Sequence, residues 1–285
     1  MSERDFKEVR AEEERRLLRS WGYWDLVVLG ALMGAGLGYF YGSGDEARRQ
    51  ALDLFAGLGI GAAAAFSIGW TRAKRRARKL FFATWAASRG WGYQASGLPF
   101  ADTPLLKSGD TRQASDFFSG FWPEAGAILY QHKRIVGSGR DEQITNYLVL
   151  HFVLERPPLL VLQIHPRGLI ELGEKLLGQD EMVGTPLELE SAELSQHFRI
   201  SYVGKPGTDI RSLFTPSAIV KFLDFIHALS GKRHFFELEG MSAAFAIELT
   251  ISPERPEEIT TMIEFCRPIF DWLAGSTVTR DQAPL

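Results

Sequence analysis

Leu26-Val-Val-Leu-Gly-Ala-Leu-Met-Gly-Ala-Gly-Leu-Gly-Tyr-Phe-Tyr41 and Leu54-Phe-Ala-Gly-Leu-Gly-Ile-Gly-Ala-Ala-Ala-Ala-Phe-Ser-Ile-Gly-Trp70 carry no charge, and the second runs into Arg72-Ala-Lys-Arg-Arg-Ala-Arg-Lys79. Each run approaches the roughly 20 residues a helix needs to cross a hydrocarbon core about 30 Å thick. The pair predicts a transmembrane helical hairpin over residues 24–71. An amphipathic arm (1–23) precedes it, and a basic helical stem (72–89), an α+β domain (90–275) and a tail (276–285) follow.

Within the hairpin, Gly30, Gly34, Gly38 and Gly42 recur every four residues, as do Gly57, Gly61, Ala65 and Gly69. Residues four apart share one helix face, so each span carries a groove without side chains. Small residues let helix backbones approach, and packing then replaces the hydrophobic drive that lipid does not supply. The spacing leaves open whether the grooves meet within one chain, between chains, or both. Trp21, Tyr23 and Trp24 precede the first span, Tyr39 and Tyr41 end it, and Trp70 closes the second. Such amphipathic rings favour the membrane interface.

Orientation follows from the basic residues. Arg72, Lys74, Arg75, Arg76, Arg78 and Lys79 follow the second span with no acid among them, whereas the connecting loop offers Arg48 and Arg49. Positive charge stays inside, so both termini are expected in the cytoplasm of a bacterium and the protein in its inner membrane. The stem should meet a bilayer with anionic headgroups. So many glycines make each span only weakly hydrophobic, which leaves a buried hairpin in a soluble protein as the alternative, but the aromatic and basic flanks would then be coincidence. The arm before the first span mixes acids and bases, unlike the short basic leader of a signal peptide.

The remaining chain is acidic. From Gly90 onward 17 Lys and Arg face 25 Asp and Glu, a net of −8, which disfavours nucleic acid as a partner. Cys266 is the sole cysteine, so neither an intrachain disulfide nor a cysteine-based zinc site is expected.

Residues 2–20 read as a solvated surface helix with Glu13–Arg16 among its i,i+3 pairs. The second span should continue as helix through the stem and end at Gly90. Residues 91–124, rich in Gly, Pro, Ser and Asp, are expected to be mostly irregular. Segments 127–136 and 145–155 flank the turn composition Gly137-Ser-Gly-Arg-Asp141 and predict a hairpin, with 147–154 central in a sheet. Further strands are expected at 159–165, 187–190, 198–202, 234–239 and 243–251. Thr215-Pro216 starts a helix ending at Gly231, and a last helix spans about 254–274, kinked at Pro268. The fold class is therefore α+β, mainly an antiparallel sheet with packed helices.

The order of two spans, a basic stem, Leu189-Glu-Ser-Ala-Glu-Leu-Ser-Gln-His-Phe-Arg-Ile-Ser-Tyr202 and Leu213-Phe-Thr-Pro-Ser-Ala-Ile219 resembles an uncharacterised bacterial two-span membrane-protein family. That family carries a similar F-x-V-Y, an L-T-P before a Leu-rich helix, and a β-hairpin like Phe235–Glu248. Ile200 stands where the family often has Val, and 203–211 are less acidic. The resemblance implies a membrane-tethered domain and supplies no catalytic residues.

No motif for a nucleophile, a metal or a phosphate loop is present, and no cofactor is expected. If the strands pair as read, His132, His151 and Gln163 share a sheet face, too few groups for a closed metal site. His165 and Arg167 flank a strand end and are weak candidates for ligand contact. Trp85, Trp91, Phe117, Phe118, Phe121 and Trp122 form an aromatic group better read as core than as a patch. The reading favours a membrane-anchored, non-enzymatic interaction or scaffold protein, oligomerising through its glycine grooves, with a possible cytosolic protein partner. A membrane-tethered sensor of a small ligand or headgroup, and an enzyme without recognisable motif, are the alternatives.

Overall fold

The computed structural model describes residues 3–41, 47–155, 160–167, 184–189, 191–204, 210–249 and 256–275. The chain divides into two compact units, up to Trp85 and from Ala86 onward.

The first unit holds α1 (Glu3–Arg19), α2 (Trp21–Tyr41) and most of α3 (Ala47–Ala87). Ser20 separates α1 from α2: its hydroxyl donates to the Leu17 carbonyl, and Trp24 Nε1 reaches back to Leu18 O at 2.9 Å. α3 is one helix through the second apolar run and the basic run, as the sequence predicts. Hydroxyls inside it bond back to their own helix, Thr71 to Ser67 O and Thr84 to Leu80 O, so they leave the helix unbroken. Among the described residues one stretch, Asp53–Ala87, is long and apolar enough to cross a membrane by length and composition. Gly22–Leu37 is apolar but shorter.

The second unit opens on the end of α3. Gly90 takes φ +74°, Trp91 N–H bonds to Ala86 O and Gly90 N–H to Ala87 O, the pairing by which a left-handed glycine closes a helix. The strands are β1 (Gly92–Gly97), β2 (Thr111–Ser119), β3 (Ile128–Val136), β4 (Gln143–Val153), β5 (Leu160–Pro166), β6 (Thr185–Pro186), β7 (Phe198–Gly204), β8 (His234–Glu239) and β9 (Ser242–Leu249). They form one sheet in the order β1-β2-β3-β4-β9-β8-β5-β7-β6, every neighbouring pair antiparallel. The helices are α4 (Pro104–Lys107), α5 (Ala192–His197), α6 (Pro216–Ala228) and α7 (Pro256–Gly275). The unit is thus α+β around a large antiparallel sheet.

One sheet face is apolar. Leu148, Leu150, Phe152, Phe236, Leu238, Phe245 and Ile247 are buried there. Phe222 and Phe225 of α6 meet Phe245, and Phe270 of α7 meets Phe152 edge-on at 5.3 Å. Thr215 caps α6 by accepting from Ala218 N–H at 3.2 Å, the start that Thr215-Pro216 predicts. β4 lies between β3 and β9, which explains its apolar run. α7 continues as helix through Pro268.

Two expectations are corrected. Residues 91–124 are not mostly irregular, because β1, α4 and β2 lie there. β2 has a polar sequence and a register shift between Ser115 and Phe118, with Asp116 at φ +52°, so its alternation is broken. No long strand runs over 187–190 either; Glu190 and Ile251 lie outside the described residues. The pairing beside β7 is Thr185–Pro186, extended by Leu187 N–H to Ile200 O. Ser191 then caps α5, a short helix, by accepting from Leu194 N–H at 3.2 Å.

Candidate functional site

In the first unit, the glycines bring α2 and α3 backbone to backbone. A Cβ added at Gly30 would lie 2.7 Å from Gly61 O and 2.8 Å from the Ala65 Cβ. One added at Gly34 would overlap the Gly57 carbonyl oxygen and lie 3.0 Å from the Gly61 Cα. Gly69 faces the Tyr23 ring. Gly42 lies outside the described residues, and of Gly38 only its place in α2 is described. Backbone atoms do not yield as a side-chain tip does, so even Gly34→Ala should push the helices apart, and Gly34→Leu more so. The expected cost is about 1–3 kcal/mol of helix–helix packing, read as lower thermal stability in detergent. A Gly34→Leu protein that melts with its parent would make this close approach incidental.

Along the stem, Ala73 and Ala77 are buried while Arg72, Lys74, Arg75, Arg76 and Lys79 point outward. Arg78 is half-buried, its guanidinium 5.5 Å from the Phe82 ring centroid. The helix thus turns an alanine stripe inward and its charge to solvent. α1 is helical as expected but not simply solvated. Glu13, only 8% exposed, takes Arg76 of the stem at 3.3 Å and Arg16 at 3.7 Å. Contact with α3 was invisible in the sequence because Glu13 reads as one more surface acid.

The second unit carries its polar chemistry on the other sheet face, where a strap between β1 and β2 crosses the strands. Asp102 Oδ2 meets His151 Nε2 at 2.7 Å and accepts from the Ser242 hydroxyl at 2.5 Å. Phe100 stacks on His151 with centroids 4.3 Å apart. Leu105 N–H, at the start of α4, donates to Glu237 Oε2 at 2.6 Å. Glu237 Oε1 takes Gln163 Nε2 at 3.1 Å and His165 Nε2 at 2.8 Å. Lys107 pairs with Glu239 at 2.6 Å, and Arg112 closes α4 on the carbonyls of Leu106 and Lys107. Leu105 and Leu106 are buried in a cluster with Tyr130, Tyr147, Val149 and Phe235. The strap is therefore tied to the sheet by three carboxylates around an apolar plug.

These groups are spent on structure. Ser242 gives its proton to a carboxylate, not to the imidazole. Burial raises the Asp102 pKa, but the bonds from His151 and Ser242 outweigh it and hold the carboxyl below its usual range, making it a poor base. His132, His151 and Gln163 do share this face by register, yet among the described residues no three His, Cys, Asp or Glu side chains gather as a metal site. His165 is occupied by Glu237, while Arg167 spends its Nε–H on Phe198 O at 3.0 Å and its backbone N–H on His197 O. Within this unit the aromatic group packs as core: Phe118 and Trp122 are buried, Trp122 stacks on Phe270, and Phe117 stacks on Tyr130.

Sequence reasoning missed Asp102 and Glu237. Two signals were available. Thr103-Pro104 has the same form as the Thr215-Pro216 helix start, and Glu237 interrupts a strand whose neighbours Phe235, Phe236 and Leu238 are all apolar. An apolar crevice beneath α6, lined by Ile164, Leu194, Phe198, Phe222, Phe225 and His234 among others, offers no converging polar groups.

No protein-family model matches the chain, and no curated protein matches it. The crystal structure of the mycobacterial trehalose monomycolate transport factor A, TtfA, is similar at 12% identity and a TM-score of 0.42, over 70% of this chain and 95% of that one. A likeness of that size bears on neither family nor function.

Proposed function

We propose that this chain is a membrane-anchored, non-enzymatic interaction or scaffold protein of the bacterial cytoplasmic membrane. One observation carries the reading: α3 joins an apolar, membrane-length stretch to a stem of outward-pointing bases without a break. α2 and the first part of α3 would form the two-span hairpin, in keeping with the resemblance to a two-span family. Both termini would be cytoplasmic, and Arg72, Lys74, Arg75, Arg76, Arg78 and Lys79 would lie among anionic headgroups, each contributing about 1 kcal/mol at the surface. Homo-oligomers, and a cytosolic protein partner for the acidic sheet unit, belong to the same reading. The internal pairing of Asp102 with His151 and of Glu237 with His165 and Leu105 supports the non-enzymatic part.

Topology tests it. Gly44→Cys should react with a membrane-impermeant thiol reagent in intact cells, and Ser138→Cys, an exposed turn position, should react only after lysis. Cys266 is buried and stays silent in both. Replacing Arg75, Arg76, Arg78 and Lys79 by Gln removes four of the six stem charges and weakens the inside-positive signal, so Gly44→Cys labelling should fall as part of the hairpin inserts in the opposite sense. Labelling of Ser138→Cys in intact cells would overturn the proposal.

A further inference from the structure

The two edges of the sheet differ in how they are protected. β6 ends one side with two residues, one of them Pro186. β1 ends the other side with Gly92-Tyr-Gln-Ala-Ser-Gly97, which has neither charge nor proline. β1 pairs with β2, and among the described residues no strand lies on its outer side. Gln94, Ser96 and Gly97 are exposed, and Leu98, directly after the strand, is 89% exposed. Sheet edges are ordinarily guarded by lysine, proline, a bulge or brevity, because their amides and carbonyls are a template for another strand. Gln94 Nε2 donates to Ser96 O at 2.6 Å, a local and exposed bond that a pairing strand can displace.

We propose that β1 is an interface with a second copy of this chain, the two β1 strands pairing antiparallel about a two-fold axis so that two sheets become continuous. Such pairing sets each residue against its own kind or a near neighbour, and an uncharged strand does so without repulsion. An edge suited to a charged foreign peptide would carry complementary charge, and β1 carries none. The inference rests on the membrane-anchored reading for one point. The backbone bonds of one short strand do not repay the freedom two dissolved molecules lose, whereas copies held in one membrane meet at high effective concentration.

Cross-linking of the full chain in native membranes tests this, with single cysteines at Gln94, Ala95 and Ser96 under mild oxidation and the parent, holding buried Cys266, as background. In a two-fold antiparallel pair only the residue on the axis faces its own copy, at about 4.5–5.5 Å between Cα atoms, within disulfide reach. Disulfide-linked dimer should peak at one position and vanish within two residues of it. Adding lysine to the peak variant at Gln94 and Ser96, or at the one of these exposed positions that the cysteine leaves free, should cut the dimer about tenfold and leave the melting temperature unchanged. A flat or empty scan, a product with another protein, or insensitivity to the added lysine overturns the inference. An empty scan with Gly44→Cys labelled from outside fails the edge alone. A peaked scan with Ser138→Cys labelled from outside fails the membrane reading alone.

Discussion

Lowering the pH from 7 to 4 should destabilise the sheet unit by several kcal/mol. Two buried histidines carry the effect. Burial, with the guanidinium groups of Arg112 and Arg134, lowers the His132 pKa from 6.5 to about 4. Burial lowers His234 to about 4 as well, although a bond to the Leu229 backbone works the other way. His132 is 1% exposed, and neither of its ring nitrogens has a partner among the described residues, so charging it in place is costly. Between pH 6.5 and 4 the unfolded chain takes up protons that the folded chain refuses. Stability is therefore full above 6.5, falls as pH drops, and levels off near 4. Each histidine contributes about 3 kcal/mol across that window, at 1.36 kcal/mol per pKa unit. Below it, Asp102 adds a further loss, since its lowered carboxyl contributes stability that disappears only as that group protonates. Chemical denaturation at a series of pH values should show the decline. His132→Phe keeps the ring contacts with Tyr130 and Tyr147 and should remove about half of it. An unchanged pH profile in that variant would remove His132 from the explanation.

How far the sequence carried this structure depends on where each residue's environment was encoded. β4, β8, β9, α6 and the long α3 were legible because one local signal was enough: an apolar run, a Thr-Pro start, or unbroken helix formers. β2 was not, since its partner strands, rather than its own pattern, keep Thr111–Ser119 extended, and Asp116 breaks the alternation in its middle. Sharing of a face by His132, His151 and Gln163 followed from period-two reading once the strands were placed. What those side chains touch did not follow. Glu237 meets Leu105 across 132 residues of chain and Asp102 meets Ser242 across 140, and no local pattern marks such a bond. The stem was readable as a charge run, but the hold of Arg76 on Glu13 was not. Long-range polar ties therefore separate a correct list of elements from a correct site.

Glu237→Ala should be the most damaging single substitution among these ties. The side chain is 0% exposed and its two oxygens accept three donors, Leu105 N–H, Gln163 Nε2–H and His165 Nε2–H. A carboxylate only accepts, so the His165 nitrogen facing it carries the proton. Truncation leaves those donors buried without an acceptor, at about 1–3 kcal/mol for each that water does not reach, and opens a gap under the strap. The net loss is expected at about 3–5 kcal/mol. For a unit of this size that is a fall of about 6–20 °C in melting temperature, at 2–4 °C per kcal/mol. Glu237→Gln keeps one acceptor but turns an NH2 group toward a donor, so it should fall between parent and alanine variant. The location of the damage matters as much as its size. Leu105 N–H is the bond by which Glu237 caps α4, so hydrogen exchange should accelerate in residues 103–107 before it does in β4 or β9. Lys107→Ala removes only the half-exposed tie to Glu239 and should cost under 1 kcal/mol. If Glu237→Ala melts within a degree of the parent, or exchange rises evenly over the sheet, the carboxylate is not what holds the strap down.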